Sequence, residues 1–252
     1  IKNEKRNEKE KRKKKRMPEG PETFIVARQL KQFVGQTLVK IDSKKIKLAE
    51  PLKLTDVKVR GKQIVFCFGD VYLGVHFMLT GRFSVTEDSN VRAVFYFNHK
   101  TLYFCDARNF AHFVWMNRDE LKAMLSKIGP SIMNIDEDEF VERYSHHPKA
   151  KIAAALHDQS IVSGVGNYLR AEAIYRAKLQ PTARVKDIDL NKLYTALKYL
   201  VDKIVLSGGT EDYPDLYNKY GTYKYKVYGK KTTTRGEPVK KTKIGSQMVY
   251  YV

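Results

Sequence analysis

The chain has 252 residues, is 42% hydrophobic and 12% aromatic, and carries a formal net charge of +19. That length serves one large or two ordinary domains, and that apolar content suffices for real cores. Its two cysteines, Cys67 and Cys105, exclude a four-cysteine zinc site. No apolar run reaches the length of a membrane span, and the basic start lacks the apolar segment of a secretory signal.

Residues 1–16 (IKNEKRNEKEKRKKKR) hold +7 of the charge, leaving +12 of the +19 on the rest of the chain. The globular part is therefore basic in its own right. This favours a polyanionic partner, most simply nucleic acid, over a merely basic soluble protein. The first sixteen residues are low in complexity and are expected to be disordered and solvated. Lys11–Arg16 reads as a nuclear-localisation or DNA-binding arm, or as translated sequence upstream of the true start, since the chain opens with Ile.

After Pro21, the spacing of Phe24, Ile25, Ala27, Leu30 and Phe33 predicts a helix that stops at Gly35. Strand-like runs follow at Leu38–Ile41, Val57–Arg60, Gln63–Phe68, Val71–Phe77, Ala93–Phe97, Thr101–Cys105 and Phe113–Trp115. Turn pairs such as Gly69-Asp70 and Asn98-His99 punctuate them, so a sandwich or barrel is expected. Both cysteines fall in these apolar runs and read as buried free thiols in a reducing compartment. From Asp119 the pattern turns helical, with helices expected over 119–127, 136–144, 149–157, 167–177 and 187–206. A Tyr-, Lys- and Gly-rich stretch over 208–238 leads to Val239–Thr242 and Gln247–Val252, expected to pair as a hairpin around Lys243–Ser246.

Four stretches carry possible chemistry. Met17-Pro18-Glu19-Gly20-Pro21-Glu22 places a proline directly after a methionine. Once Pro18 is the first residue, its secondary amine can attack an aldehyde-like sugar carbon and form an imine. Glu19, next in sequence, can supply a proton. The alternative is plain helix initiation, with Pro21 in the first turn and Glu22 at the positive end. Lys62, in Val59-Arg60-Gly61-Lys62, can hold a phosphate or a reacting sugar, or be a solvated strand-end lysine. In Asp158–Tyr168, Gly164-Val165-Gly166-Asn167 forms a tight turn before a helix. Its N–H groups can cradle a phosphate and Asn167 can cap the helix or bind phosphate, unless it is an ordinary helix–helix turn. In Phe104–Phe110 (FCDARNF), Arg108 and Phe110 pair a cation with an aromatic wedge suited to a base stack. The alternative puts Phe110 in the core and Arg108 on Asp106.

Taken in order from Met17 to Val252, these motifs resemble the Fpg/Nei family, formamidopyrimidine-DNA glycosylase and endonuclease VIII. The resemblance rests on MPEGPE, RGK before a strand, HFMLTG, the D-x-R-x-F loop, D-Q-x-x-x-x-G-V-G-N-Y-L-R, and the late VYG…GEP. It implies an α+β fold: an N-terminal helix plus β-sandwich domain, then a helical domain with a helix–two-turn–helix and a C-terminal zincless-finger β-hairpin. The expected boundaries are 1–16 for the extension, 17–130, 131–226 and 227–252. With only Cys67 and Cys105, and with Val239 and Val252 where finger cysteines are expected, the finger would be zincless. No metal or cofactor is implied.

The resemblance also assigns roles. Pro18 would be the Schiff-base nucleophile, Glu19 the general acid, and Lys62 a contact to phosphate at the lesion. Glu22 supports the N-terminal helix and the site. Asn167 holds backbone phosphate, and Glu172 lies at the matching position near the active site. Leu79, Arg108 and Phe110 fill the gap left by the flipped base. Asn109 stands where a second arginine is common, and Gln247 where the finger's phosphate-binding arginine is expected; Lys243 is a candidate to replace that charge. The implied activity is a bifunctional DNA glycosylase/AP lyase acting on oxidised bases. Its partner would be damaged double-stranded DNA, and it would be a monomer, in no membrane, located with DNA in a nucleus or nucleoid. Two alternatives stay open: a non-catalytic damaged-DNA-binding protein, if residues 1–16 persist, and an RNA-binding or ribosome-associated protein, on charge alone.

Overall fold

The computed structural model describes residues 17–252, and the expectations for residues 1–16 fall outside them. Helix α1 (Gly20–Leu30) opens the fold and tightens into a 3-10 turn at Lys31–Phe33. Pro21 sits in its first turn, and the Glu22 carboxylate accepts the Glu19 N–H at 3.1 Å, satisfying a donor that a helix start leaves orphaned.

Nine strands follow: β1 (Thr37–Ser43), β2 (Leu52–Lys53), β3 (Asp56–Arg60), β4 (Gln63–Phe68), β5 (Val71–His76), β6 (Gly81–Ser84), β7 (Val91–Phe97), β8 (Thr101–Asp106) and β9 (His112–Met116). They build two antiparallel sheets, in the orders β2-β1-β7-β8-β6 and β3-β4-β5-β9. Phe66, Phe77, Phe83, Phe95 and Phe104 interlock in the core between them, mostly edge to face, with centroids 5.0–6.1 Å apart. Each fully buried Phe contributes about 1.5–3 kcal/mol by leaving water. The seven expected strands are all present. The additional β2 and β6 are too short, at two and four residues, to show a period in sequence.

The helical half contains α2 (Arg118–Ser126), α3 (Glu137–Ser145), α4 (Ile152–Ala155), α5 (Asn167–Ala177) and α6 (Leu190–Leu206). Asn117, Asp136 and Asp189 cap α2, α3 and α6 through their side-chain oxygens. The expected helix over 149–157 shrinks to Ile152–Ala155. The carbonyls of Pro148 and Ala150 instead accept the N–H groups of Lys186 and Val185, and Lys151 bridges to Arg184. The expected start of the last helix at 187 moves to Leu190, because Val185–Asp187 is a 3-10 turn and Asp189 is the cap.

Strands β10 (Lys240–Ile244) and β11 (Gln247–Tyr251) form the C-terminal hairpin, turning at Gly245-Ser246. Lys243 thus lies within a strand, opposite Met248, and not in the turn.

The two halves are stitched together twice. Helix α1 packs on β3 and β4 on one side and on α6 on the other. The segment after α6 crosses back to the sandwich, burying Tyr213 and Leu216 in its core. Tyr213 Oη donates to the Gly81 carbonyl at 2.9 Å, Gln29 Nε2 to Asp215 at 2.8 Å, and Asn218 Nδ2 to Ser84 at 3.0 Å. Residues 213–218 are thus a strap fixed to β6 and α1.

Candidate active site

The start of the described chain lies against the start of α5. Pro18, Glu19 and Gly20 are buried, and the Gly20 N–H donates to the Gly164 carbonyl at 2.8 Å. The Glu19 carboxylate accepts three backbone N–H groups, from Gly166 (2.8 Å), Tyr168 (2.9 Å) and Leu169 (3.1 Å). These are orphan donors at the positive end of a helix, the natural seat of an anion. Gly166 is required there: a Cβ at this position would fall 2.3 Å from the Glu19 carboxyl.

Burial nevertheless pushes the Glu19 carboxyl up to about 7, against the opposing pull of Lys62 and of the Tyr168 and Leu169 amides. A carboxyl half protonated near neutral pH can deliver a proton. Glu22, also buried, is raised by the same loss of water. It accepts from the Glu19 N–H and from Tyr168 Oη at 2.7 Å.

Lys62 reaches this site from the β3–β4 turn. Gly61 adopts φ +57, and a Cβ there would meet the Ser163 side chain at 2.7 Å, so the turn presses directly on the loop before α5. Burial pulls the Lys62 ammonium below its ordinary value, while Glu19 props it up. Arg170, 1% exposed, adds a second cation. It donates to the Ala153 carbonyl (2.9 Å) and to Asn167 Oδ1 (2.8 Å). His157 is lowered to about 4, first by burial and then by Arg170 and Lys62, and His76 is lowered, first by burial and then by Lys62 and His112. The His157 imidazole is therefore neutral at pH 7.

Asn167 Nδ2 donates to Gln247 Oε1 at 3.1 Å, joining the start of α5 to the hairpin tip. The pairing Ile244↔Gln247 and Lys243↔Met248 sets Lys243 on the opposite face of the ribbon from Gln247. The expectation that Lys243 replaces charge beside Gln247 is corrected by this register.

Leu79 is half-buried in the turn before β6, and Arg108 and Phe110 are exposed on the loop after β8. The Arg108 guanidinium lies 4.9 Å from the Phe110 ring centroid, and Phe110 is 45% exposed. That excludes the reading in which Phe110 belongs to the core. Asp106, 1% exposed, ties the two loops together. Its carboxylate accepts from Thr80 Oγ1, from the Arg108 N–H (3.2 Å) and from the Ala111 N–H (2.8 Å).

Neither Glu22 nor Glu172 is open to DNA: each is 2% exposed, and Glu22 Oε2 accepts the Glu19 N–H and the Tyr168 hydroxyl. Glu172 accepts the N–H groups of Lys226, Val227 and Tyr228 and the Tyr223 hydroxyl. It positions the segment after the strap, and a buried anion so engaged has nothing to offer a phosphate. Sequence reasoning also missed Asp106, Arg170, Tyr168 and Gln159. Gln159 donates to the Val165 carbonyl (2.8 Å) and accepts the Gly164 N–H (3.0 Å), shaping the turn before α5. All four sat within quoted motifs, but polarity in a motif gives no sign of burial.

The formamidopyrimidine-DNA glycosylase N-terminal domain model matches residues 17–113, and the H2TH domain model of the same family matches residues 128–211. A formamidopyrimidine-DNA glycosylase of Thermus thermophilus is 30% identical over 211 residues, covering 77% of this chain and 78% of the relative. The chain belongs to the formamidopyrimidine-DNA glycosylase family. Another member, from Legionella pneumophila, is 28% identical across 85% of this chain and 88% of its own. The crystal structure of the MutM (Fpg) protein from Thermus thermophilus superposes with a TM-score of 0.83 at 26% identity, covering 93% of this chain and 97% of that one. Lactococcus lactis Fpg, solved with abasic-site DNA, shares the fold at a TM-score of 0.81 and 23% identity, over 92% and 97% of the two chains. Within this family frame, the two domain models supply the paired halves of the site, Glu19 and Lys62 from one and the start of α5 from the other.

Among the described residues no cluster of His, Cys, Asp or Glu could hold a metal, and no helix is long and apolar enough to cross a membrane. Cys67 and Cys105 are buried in β4 and β8 and form no disulfide with each other.

Proposed function

We propose that the protein is a bifunctional DNA glycosylase/AP lyase that removes oxidised bases in base excision repair, with Pro18 as nucleophile. The observation that carries this reading is the Glu19 carboxyl. It is buried, holds its proton to about pH 7, is fixed by three amides, and neighbours Pro18 in the chain. A target base must leave the duplex stack to reach such a site. The Pro18 amine, free only in a chain that begins there, attacks the sugar C1′. The bond from C1′ to the base breaks, the amine proton leaving with the base, and Glu19 protonates the sugar ring oxygen as the nitrogen lone pair opens the ring to the iminium. Loss of the C2′ proton then expels the 3′ phosphate. Lys62 and Asn167 hold phosphates beside the lesion, and Leu79, Arg108 and Phe110 occupy the vacated stack. We infer that the β10–β11 hairpin serves as the zincless finger, with neutral Gln247 in place of a cation, and that the catalytic unit is a monomer on damaged duplex DNA. The working domains are 17–130, 131–226 and 227–252.

Borohydride reduces the imine and traps the enzyme on DNA. A chain beginning at Pro18 and the full 252-residue form, each incubated with abasic duplex and borohydride, separate the readings. Adduct with the Pro18 form alone is expected. No adduct with either form, together with retained binding to damaged duplex, would leave the non-catalytic DNA-binding reading in its place.

A further inference from the structure

Beyond the DNA-facing end of α5 lies a second concave site, at the other end of the same helix. A cavity of about 380 Å³ opens between the last turn of α5, the outer face of α6 and the segment 226–237. Five cations line it: Arg176, Lys178, Lys203, Lys226 and Arg235. None of the five makes an ion pair among the described residues.

The two acidic side chains in the wall are already hydrogen-bonded, and Glu237 also feels the charge of Arg235. Glu172 takes the backbone N–H groups of 226–228 and the Tyr223 hydroxyl. Glu237 takes the hydroxyls of Tyr175 (2.7 Å) and Thr233 (2.8 Å). Five cations against two acidic side chains leave an excess of positive charge in the concavity, which draws in anions. One wall is flat. The Arg176 guanidinium lies 3.5 Å from the Tyr199 ring centroid, with Lys203 at 5.8 Å from the same ring. A stacked guanidinium keeps its N–H edge for phosphate oxygens while its outer face can stack on a planar ring.

We propose that this cavity is a nucleotide site, binding a phosphate group through its cations and a base against the Arg176–Tyr199 shelf. The volume accommodates one nucleotide and not a duplex. The site is about 15 Å from Asn167, given the rise of an eleven-residue helix. It does not depend on the lyase chemistry. The nucleotide is either free in solution or the phosphorylated end of a DNA strand.

Isothermal titration of the full 252-residue protein with ATP, tripolyphosphate and a 5′-phosphorylated single-stranded oligonucleotide tests the site. Repeating it with saturating abasic duplex present tests its separation from the active site. The expected result is saturable ATP binding tighter than about 1 mM. That binding should survive added duplex, and tripolyphosphate should bind more weakly. The R176A/K203A variant should lose about tenfold in affinity or more while melting as the wild type does. A Lys149→Ala control should bind ATP unchanged. Competition by the oligonucleotide at this site assigns the ligand to a strand end, and its absence assigns a free nucleotide; both uphold the site. Binding that duplex displaces, that the double variant retains, or that tripolyphosphate matches overturns the proposal, as does the absence of saturable binding. If the double variant misfolds, Arg235→Ala, in an exposed loop, carries the same expectation.

Discussion

Replacing Glu19 by Gln should change how stability depends on pH. Burial raises the Glu19 carboxyl from 4.5 to about 7 in the folded protein. Between those values the native state holds a proton that the unfolded chain has released, so wild-type stability falls as pH rises through that window. The loss attributable to this one group between pH 5 and pH 8 is about 2.5 kcal/mol. Glu22 is raised as well and contributes in the same direction, but the substitution leaves it in place. Glu19→Gln keeps the shape and one acceptor oxygen for the amides of Gly166, Tyr168 and Leu169, while removing the titration. Urea unfolding of both proteins at pH 5 and pH 8 reads the difference. The wild type should lose about 2.5 kcal/mol more than the variant across that interval. Parallel losses, equal within about 0.5 kcal/mol, would refute the account of a proton retained by burial. The same carboxyl predicts lyase activity that declines as pH rises above about 7, and a Gln variant whose remaining activity lacks that decline.

Three other outcomes follow from the geometry. Asp106→Asn replaces a carboxylate oxygen with a donor that faces the N–H of Arg108 or Ala111. It should cost about 2–3 kcal/mol in chemical denaturation and weaken binding to abasic duplex more than to intact duplex, since the Leu79 and Phe110 loops lose their shared anchor. Gly166→Ala drives a methyl into the Glu19 carboxyl. Single-turnover cleavage should fall by about a hundredfold or more while the circular dichroism spectrum stays native. Lys243→Ala removes an exposed cation from the ribbon face opposite Gln247. Strand cleavage should stay within about twofold of wild type, whereas a cation seated on the lesion phosphate would cost about tenfold or more.

The parts of the fold that could be read from sequence were those with local causes. β4 is legible at Gln63–Phe68 because an unbroken apolar run between two turns has few other uses. α5 is legible at 167–177 because Gly166 ends the preceding turn and a helix-forming run follows. The region over 149–151 failed for the opposite reason: its backbone bonds go to 184–186, a partner that no local pattern announces. Likewise nothing around Tyr213 indicates that it enters the core of the sandwich. At the site, Glu19, Lys62 and Asn167 were found through motifs, while the burial that sets their chemistry came only from packing. Glu172 shows the limit of that route. It lies within the motif, yet its carboxylate accepts the N–H groups of 226–228.

The central claim is that the reacting amine is Pro18. Borohydride-trapped adduct from a chain beginning at Pro18, digested with trypsin and nuclease and then weighed, locates the reacting nitrogen. The account predicts the added sugar fragment on the peptide Pro18–Arg28. The fragment on a peptide containing Lys62, with Pro18–Arg28 unmodified, would contradict it.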